Sequence, residues 1–247
     1  MKKGLIIGKG WLGSRLEKYL EKLFLIETTK RISNAENCFS IDFDNYKSEK
    51  ISTDYDFVIV TIPFGRRNNL DDLHNRFNHL MKFLGDYNNQ LILLSSTAIY
   101  PENNEIISEK KIKTIHLNNH YYSIENQLKE KYNQLVVLRL GGLMGDDRFL
   151  SKYLTLEHPN LSQIVNHIHY KDVCQVIEKM INTNKNSSTY NIVAPEYPTK
   201  EEVLEYQLNN KIISSINREG KIISSQKIQD EFNYEFIYRN PVYFKEN

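Results

Sequence analysis

The feature that most constrains this chain is a glycine turn near its start, Gly8-x-Gly10-x-x-Gly13. An apolar stretch at residues 5–7 precedes the turn and apolar residues at helical spacing follow it, which predicts a buried strand, a turn and then a helix. The first glycine permits the tight turn, the second lets a pyrophosphate approach the backbone, and the third lets the helix pack on the strand. Backbone N–H groups at the start of the helix, around Trp11 and Leu12, suit phosphate oxygens. The pattern predicts dinucleotide binding, and the alternative is a glycine-rich turn without a ligand.

Size and composition narrow the class of protein. With 247 residues, the chain has room for one large α/β domain, or for a core domain with a small lobe. A net charge of +1 gives no electrostatic basis for binding nucleic acid or a membrane surface, so neither is expected as a partner. Cys38 and Cys174 lie far apart, which disfavours a disulfide framework or a metal site. The sequence has no signal-peptide pattern and no long apolar run, so we expect a cytoplasmic protein.

The second predicted strand leads to a possible ribose contact. Residues 23–26 are apolar and are expected to form a buried strand. In this type of fold an acidic residue beyond that strand bonds the ribose 2′-hydroxyl, whereas an arginine accommodates a 2′-phosphate. Glu27 is expected within the strand, and the tip carries Thr29, Lys30 and Arg31. Because the planar fork of arginine bonds two phosphate oxygens at once, NADP is favoured over NAD. The alternative is that Lys30 and Arg31 are solvated loop charges.

Two further strands are predicted at residues 39–42 and 57–62. Asp42 ends the first of them and either contacts the adenine edge or caps a turn. The second is a nearly continuous apolar run, typical of a strand buried on both faces of a parallel sheet. Ligands bind at the carboxyl ends of such strands, so three residues there are candidate cofactor contacts: Thr61, Ile62 and Pro63. The arginines that follow, Arg66 and Arg67, either hold an anionic group or belong to the surface.

The remaining pattern continues to alternate. Helices are predicted over residues 70–84 and 119–132, and strands over 91–94 and 135–140. Ser96 lies at the ligand edge, where its hydroxyl either donates to a substrate carbonyl or satisfies a local turn. Beyond residue 145 we expect a short helix near 149–154, strands at 164–168 and 189–193, a helix from His169, and another after a Thr199–Glu202 capping box.

The alternation predicts an α/β fold, a Rossmann-type doubly wound parallel sheet with a small C-terminal lobe on the substrate side. Residues 1–145 are assigned to the NAD(P)-binding core. Residues 146–247 are assigned to the C-terminal substrate-side part, which is interleaved with the core in a single compact unit.

Taken with the glycine turn, four later segments resemble motifs of extended or atypical short-chain dehydrogenases/reductases, the superfamily of nucleotide-sugar epimerases and dehydratases. They are SSTAIY at 95–100, similar to SSxxVYG; LRLGGLMG at 138–145, similar to LRxxxxYG; IHYKDV at 168–173, similar to IHVDDV; and YNIV at 190–193, similar to YNV. The resemblance implies a Rossmann core, NAD(P), a small carbonyl, alcohol or sugar-like substrate, and a homodimer. It places Ser96 at the catalytic serine or threonine, and Gly141 and Gly142 on the nicotinamide side.

The chain departs from this family at the acid–base pair Tyr-x-x-x-Lys. The family's spacing, counted from Ser96, reaches Tyr121, whose lysine position is Glu125; starting at Tyr122 puts Asn126 there. A lysine would lower the pKa of the tyrosine toward working pH, whereas a nearby ionised carboxylate would raise it. Neither register therefore supplies the cation that makes the tyrosine an effective base.

Two functions are consistent with these residues. In the first, the chain is an NADP(H)-dependent oxidoreductase or epimerase-like enzyme, in which Ser96 polarises the substrate oxygen and Tyr121 donates a proton as a neutral acid. In the second, it is a dinucleotide-binding sensor or scaffold without turnover. Lys129, one helical turn beyond Glu125, either pairs with that carboxylate or takes the place of the lysine. The sequence leaves the substrate and the oligomeric state open.

Overall fold

The computed structural model describes residues 1–47, 51–52, 54–64, 69–111 and 113–245. The strands, in chain order, are β1 (Lys3–Ile7), β2 (Leu25–Lys30), β3 (Cys38–Ser40), β4 (Phe57–Val60), β5 (Gln90–Ser96), β6 (Ile106–Ile107), β7 (Leu135–Leu140), β8 (Gly142–Met144), β9 (His167–His169), β10 (Ser188–Ile192) and β11 (Ile222–Ile223). The α-helices are α1 (Trp11–Leu20), α2 (Leu70–Leu84), α3 (Asn119–Lys131), α4 (Tyr170–Thr183), α5 (Lys200–Asn209) and α6 (Gln226–Phe232). Short 3₁₀ turns cover Thr97–Ile99, Thr114–His116, Leu150–Lys152 and Pro241–Tyr243.

The central sheet of the described chain has seven strands in the order β3-β2-β1-β4-β5-β7-β10. β1 pairs in parallel with β2 on one side and β4 on the other, and the β2–β3 and β4–β5 pairs are parallel as well. The chain therefore begins in the middle of the sheet and adds strands on one side as far as β3. It then adds β4 and the later strands on the other side of β1. This order confirms the predicted Rossmann-type doubly wound fold. Its reversal between β1 and β4 marks where ligands bind in such sheets.

The chain forms two compact units, each built from three segments. Unit 1 comprises Met1–Ser95, Asn118–Leu138 and Ile177–Thr189, and unit 2 comprises Ser96–Leu117, Arg139–Val176 and Tyr190–Asn247. Unit 1 has a core that includes the fully buried Ile6, Phe57 and Phe77. A buried cluster in unit 2 contains Leu150, Val165, Val203, Leu204 and Val242. The division after residue 145 stays a prediction.

β2 lies further along the chain than the apolar pattern predicts. It occupies Leu25–Lys30 rather than residues 23–26, because its parallel register with β1 extends as far as Thr29. Leu25 is 56% exposed, whereas Thr28 and Thr29 are buried. The prediction of a buried apolar strand is therefore wrong. The buried residues of β2, Thr28 and Thr29, are polar and lie next to the glycine turn.

Other elements are shifted less. β3 ends at Ser40 and β4 at Val60, so Asp42 and Thr61 lie just beyond their strands instead of within them. The capping box of α5 is confirmed, since Thr199 Oγ1 accepts from the N–H of Glu202 (3.2 Å) and Glu202 Oε2 accepts from that of Thr199 (2.7 Å). β6 was not predicted; it pairs in parallel with β11.

Two negative findings concern the described residues alone. None of their helices combines the length and apolar character needed to cross a bilayer. They also contain no group of three or more histidine, cysteine, aspartate or glutamate side chains arranged to hold a metal ion.

Candidate functional site

The three glycines of the turn differ in what the protein itself requires of them. Gly8 has a φ of 106°, a left-handed conformation that favours glycine. A Cβ on Gly13 would overlap the carbonyl oxygen of Gly8, so α1 can pack against the end of β1 only with glycine there. Gly10 has a φ of −90°, and no described atom beyond its two chain neighbours lies within 4 Å of the position its Cβ would take. Packing and backbone conformation thus explain Gly8 and Gly13 but not Gly10.

Two threonines hold the glycine turn in place from the neighbouring strands. Thr29 accepts from the N–H of Gly8 at its Oγ1 (3.1 Å) and from the N–H of Lys9 at its backbone oxygen (2.6 Å). On the other side, Thr61 Oγ1 donates to the backbone oxygens of Ile7 (3.1 Å) and Gly8. The sequence analysis placed Thr29 at the tip beyond the second strand, whereas it lies within β2, is buried, and supports the turn with its side chain. Thr29 also lines the cavity described below, and its cofactor contact stays a prediction.

The start of α1 has the polarity that an anion requires. Its N-cap is Gly10, which provides no side-chain hydrogen bond to the helix. An α-helix leaves its first N–H groups without intrahelical acceptors, and its dipole makes that end partially positive. Nearby, Lys9 Nζ is paired with Glu17 (2.7 Å), and the Arg15 guanidinium stacks 3.8 Å from the centre of the Trp11 ring. Both cationic side chains thus interact with residues of α1, Lys9 with a carboxylate and Arg15 with an aromatic ring.

A cavity of about 320 Å³ opens beside the turn, within unit 1. It is lined by nine of the residues that the sequence identifies as cofactor contacts: Gly8, Gly10, Thr29, Lys30, Arg31, Asp42, Thr61, Ile62 and Pro63. Five predicted contacts do not line it: Trp11, Leu12, Gly13, Gly141 and Gly142. Arg66 and Arg67 lie outside the described residues. The cavity therefore joins the ends of β1, β2 and β4 where the predicted crevice should be.

A charged cluster at the far wall of this cavity was missed by the sequence analysis. Asp44 Oδ2 accepts from Arg31 Nη2 (2.7 Å), and its two carboxylate oxygens accept from Nε and Nη2 of Arg76 (2.6 and 3.1 Å). Arg76 belongs to α2 and is only 8% exposed. A sequence signal existed, since Arg76 falls between Leu73 and Leu80 on the apolar face of that helix. A buried arginine on such a face requires an acidic partner.

Asp42 caps a turn, which is one of the two alternatives that the sequence left open. Its Oδ1 accepts from the backbone N–H of Asp44 (3.0 Å) and its Oδ2 from the side chain of Asn45 (3.0 Å), so it caps a turn. These hydrogen bonds, first that from Asn45, hold the pKa of the Asp42 carboxyl below its usual value. Asp42 also lines the cavity. Its turn-capping role is established by these bonds, and contact with an adenine stays a prediction.

The candidate residues in unit 2 have local structural roles. Ser96 Oγ accepts from the N–H of Ala98 (3.1 Å) and so begins the Thr97–Ile99 turn. Accepting that bond does not use the hydroxyl's own hydrogen, which can still be donated. A Cβ on Gly141 would overlap the backbone oxygen of Asn166, and one on Gly142 the ring of His167. Packing against this segment accounts for both glycines, and their cofactor contact stays a prediction.

Tyr121 and Glu125 lie on α3, in unit 1. The Tyr121 ring is largely buried and packs on Phe64, with 5.3 Å between ring centroids. Glu125 is 1% exposed; its Oε1 accepts from Ser95 Oγ (2.6 Å), and its Oε2 lies 3.7 Å from Lys129 Nζ. This confirms the interpretation that Lys129 pairs with Glu125. Position 125, where the predicted register puts the motif's lysine, is thus filled by a buried, hydrogen-bonded acid.

The IHYKDV segment of unit 2 is also built into the structure. Asp172 is fully buried and accepts hydrogen bonds from the Tyr234 hydroxyl (2.8 Å) and from the N–H groups of Ile237 (2.8 Å) and Tyr238 (3.1 Å). The His169 ring stacks on Tyr238 with 3.7 Å between centroids. This segment therefore fastens residues 234–238 of the same unit.

The burial of His169 predicts a pH dependence of stability. Burial lowers its pKa to about 4, compared with about 6.5 in an unfolded chain. Between these values the unfolded chain binds a proton that the folded chain does not, so stability present above pH 6.5 is lost as pH falls toward 4. We expect this residue to lower the free energy of unfolding by about 2–3 kcal/mol over that range.

Urea unfolding at a series of pH values measures this effect. His169→Gln should reduce the slope of the profile below pH 6.5, although His167, whose pKa burial also lowers to about 4, keeps a slope of its own. The same change at the exposed His116 should leave the profile as in the wild type. Identical slopes for all three proteins would show that His169 is not responsible.

This chain is similar to known proteins in sequence and in fold. No family model matches the chain. Protein YeeZ of Escherichia coli K12 is 24% identical over 98% of both chains. The human epimerase family protein SDR39U1, solved with NADPH, is 14% identical, with a TM-score of 0.75 over 99% of this chain and 98% of its own. The dTDP-glucose 4,6-dehydratase of Bacillus anthracis, solved with NAD, is 14% identical, with a TM-score of 0.71 over 98% and 94%.

These similarities establish the fold over the full length of the chain. They agree with the fold that the motif resemblance implied, a Rossmann core. The two solved structures hold different dinucleotides, NADPH in the human protein and NAD in the Bacillus anthracis enzyme.

Proposed function

We propose that this chain binds a nicotinamide dinucleotide in the cavity beside the glycine turn. The observation that carries the proposal is Gly10, a glycine that neither packing nor backbone conformation requires, at a position that lines the cavity. In this arrangement the pyrophosphate would lie over Gly8–Gly10 and the start of α1. The adenosine end would lie toward Lys30, Arg31 and Asp42.

Within that proposal, NADP is preferred over NAD. Lys30 and Arg31 supply two cationic side chains to the wall of the cavity that follows β2 and β3. A 2′-phosphate gains charge-assisted hydrogen bonds from such groups, whereas a 2′-hydroxyl gains little. The human neighbour solved with NADPH is compatible with a preference for NADP. Because the other neighbour was solved with NAD, the fold alone does not determine which dinucleotide is bound.

The proposed chemistry is that of an NADP(H)-dependent oxidoreductase or epimerase-like enzyme acting on a small carbonyl, alcohol or sugar-like substrate. The nicotinamide would supply the hydride. Ser96 would donate a hydrogen bond to the substrate oxygen, and Tyr121 would donate a proton as a neutral acid. Reduction suits these residues better than oxidation, since it requires a proton to be given rather than taken.

A second candidate function is dinucleotide binding without turnover, as a sensor or scaffold. The observation that favours it is Glu125, because a buried carboxylate bonded to Ser95 stands where a lysine would assist the tyrosine. Both candidates share the cofactor site, so binding is the first property to measure.

Calorimetric titration with NADPH, NADP, NADH and NAD tests the shared proposal. We expect NADP(H) to bind more tightly than NAD(H), and a ligand at 100 times its Kd to stabilise the fold by about 2.7 kcal/mol. Binding of none of the four would reject the dinucleotide site. Tighter binding of NAD(H) would leave the site standing and reject the preference.

Substitutions at the two proposed catalytic residues separate enzyme from sensor. Ser96→Ala and Tyr121→Phe should each lower NADPH oxidation with a panel of aldehydes and ketones by about 30-fold or more, while NADPH affinity stays unchanged. Tyr122→Phe, one residue along the same helix, is the matched control and should keep wild-type turnover. If the wild type turns over and neither variant differs from it, the assigned roles are wrong. A wild type that binds NADPH without turnover favours the sensor.

A further inference from the structure

Arg31, the residue proposed to meet the 2′-phosphate, is already bound to a carboxylate of its own chain. Its Nη2 donates to Asp44 Oδ2 (2.7 Å), and its Nε lies 3.9 Å from Asp42 Oδ1. Arg31 therefore lies between two acidic side chains that line the same cavity. A phosphate that reaches Arg31 has to compete with them.

The two arginines bound to Asp44 are held very differently. Arg76 is 8% exposed and donates from both Nε and Nη2, so it holds the Asp44 carboxylate in a bidentate ion pair. Arg31 has a side chain that is 67% exposed and donates to Asp44 through Nη2 alone. Exposed single ion pairs contribute little to stability, whereas buried ones are costly to break. Arg31 is thus the partner that can leave, and the Asp44–Arg76 pair stays.

We propose that Asp44 is a specificity-determining residue that holds Arg31 until a 2′-phosphate replaces it as the partner of that arginine. The inference rests on the proposed dinucleotide site and adds a new element to it. A phosphate monoester carries more negative charge than a carboxylate and offers three acceptor oxygens, so it can draw Arg31 away. A 2′-hydroxyl offers no charge and leaves Arg31 on Asp44. Asp44 thereby lowers the affinity gained from the 2′-phosphate and sets the margin between NADP and NAD.

Two adenosine fragments isolate this effect from the rest of the cofactor. Adenosine 2′,5′-bisphosphate carries the phosphate in question, and 5′-AMP lacks it. Calorimetry with both fragments on the full chain should give a Kd for the bisphosphate about tenfold lower in Asp44→Asn than in the wild type, a change of 1.4 kcal/mol. The Kd for 5′-AMP should change less than about twofold.

Two further variants establish that Asp44 acts through Arg31. Asp42→Asn removes the same charge from the same cavity but keeps a turn-capping side chain, so it should improve bisphosphate binding far less than Asp44→Asn does. Arg31→Ala should weaken bisphosphate binding, and adding Asp44→Asn to it should then restore little. If Asp44→Asn acts equally well without Arg31, the carboxylate only repels the phosphate and the proposal is overturned.

A further variant controls for destabilisation caused by the loss of Arg76's carboxylate partner. Because Asp44→Asn leaves a buried guanidinium facing a neutral amide, the paired variant Asp44→Asn/Arg76→Gln removes both charges together. It should also free Arg31 and strengthen bisphosphate binding. Unchanged bisphosphate affinity in both variants, with 5′-AMP still bound, overturns the role of Asp44 but not the dinucleotide site. Binding of neither fragment to any protein overturns both.

Discussion

Replacing Gly10 with alanine should abolish dinucleotide binding while leaving the fold intact. The backbone at Gly10 has a φ of −90°, which alanine can adopt, and the space for a Cβ is open among the described atoms. The new methyl group would occupy the place where a pyrophosphate must approach the backbone. We expect NADPH affinity to fall at least about 100-fold and the free energy of unfolding without ligand to stay within about 0.5 kcal/mol of the wild type, or to rise slightly.

Gly13→Ala is the matched control, with the opposite expected outcome. Its Cβ would overlap the carbonyl oxygen of Gly8, so α1 would have to move away from β1. This variant should lose about 1–3 kcal/mol of stability even without a ligand. Thermal or urea unfolding together with NADPH titration distinguishes the two. A Gly10→Ala protein that binds NADPH as tightly as the wild type would show that the pyrophosphate does not lie on this turn.

Placing a lysine at the predicted position of the Tyr-x-x-x-Lys motif, by Glu125→Lys, should destabilise the protein rather than activate it. The Glu125 carboxylate is buried, bonded to Ser95 and paired with Lys129. A lysine there would place an ammonium group in a buried position one helical turn from Lys129, and it would remove the carboxylate of the Glu125–Lys129 pair. Breaking a buried pair in this way costs about 3–5 kcal/mol. Urea unfolding measures the loss directly.

Two companion variants test the cause of that loss. Glu125→Gln keeps the shape and an acceptor for Ser95, so it should cost about 1–2 kcal/mol. Exchanging the charges with Glu125→Lys/Lys129→Glu should recover part of what Glu125→Lys alone loses. If Glu125→Lys is as stable as the wild type and raises turnover, position 125 has room for a catalytic lysine, and the explanation from burial is wrong.

The parts of this molecule that local signals specify were predictable from the sequence. The turn from β1 into α1 follows from three glycines between an apolar run and a helical pattern. The start of α5 follows from the Thr199–Glu202 capping box, which depends on residues three positions apart. Likewise, α3 begins at Asn119 as predicted because its helical pattern is continuous.

Features that depend on distant residues were not predictable. Asp44 and Arg76 are 32 positions apart and meet only because α2 brings the arginine to the turn that follows β3. The position of β2 was predicted wrongly because its apolar residues were taken as buried. Pairing with β1 instead buries Thr28 and Thr29, one of which supports the glycine turn. Such buried polar residues follow from hydrogen-bonding needs of the assembled sheet, which hydropathy alone does not report.

The two threonines that flank the glycine turn also affect how much affinity a ligand loses to the ordering of the protein. Thr29 and Thr61 tie the turn to β2 and to the end of β4 in the protein itself, so its backbone is ordered before any ligand arrives. A ligand that meets a preorganised surface loses less affinity to the ordering of the protein. The same rigidity prevents the turn from adapting its shape. In the proposed site, discrimination among related nucleotides then depends on the side chains at the other end of the cavity.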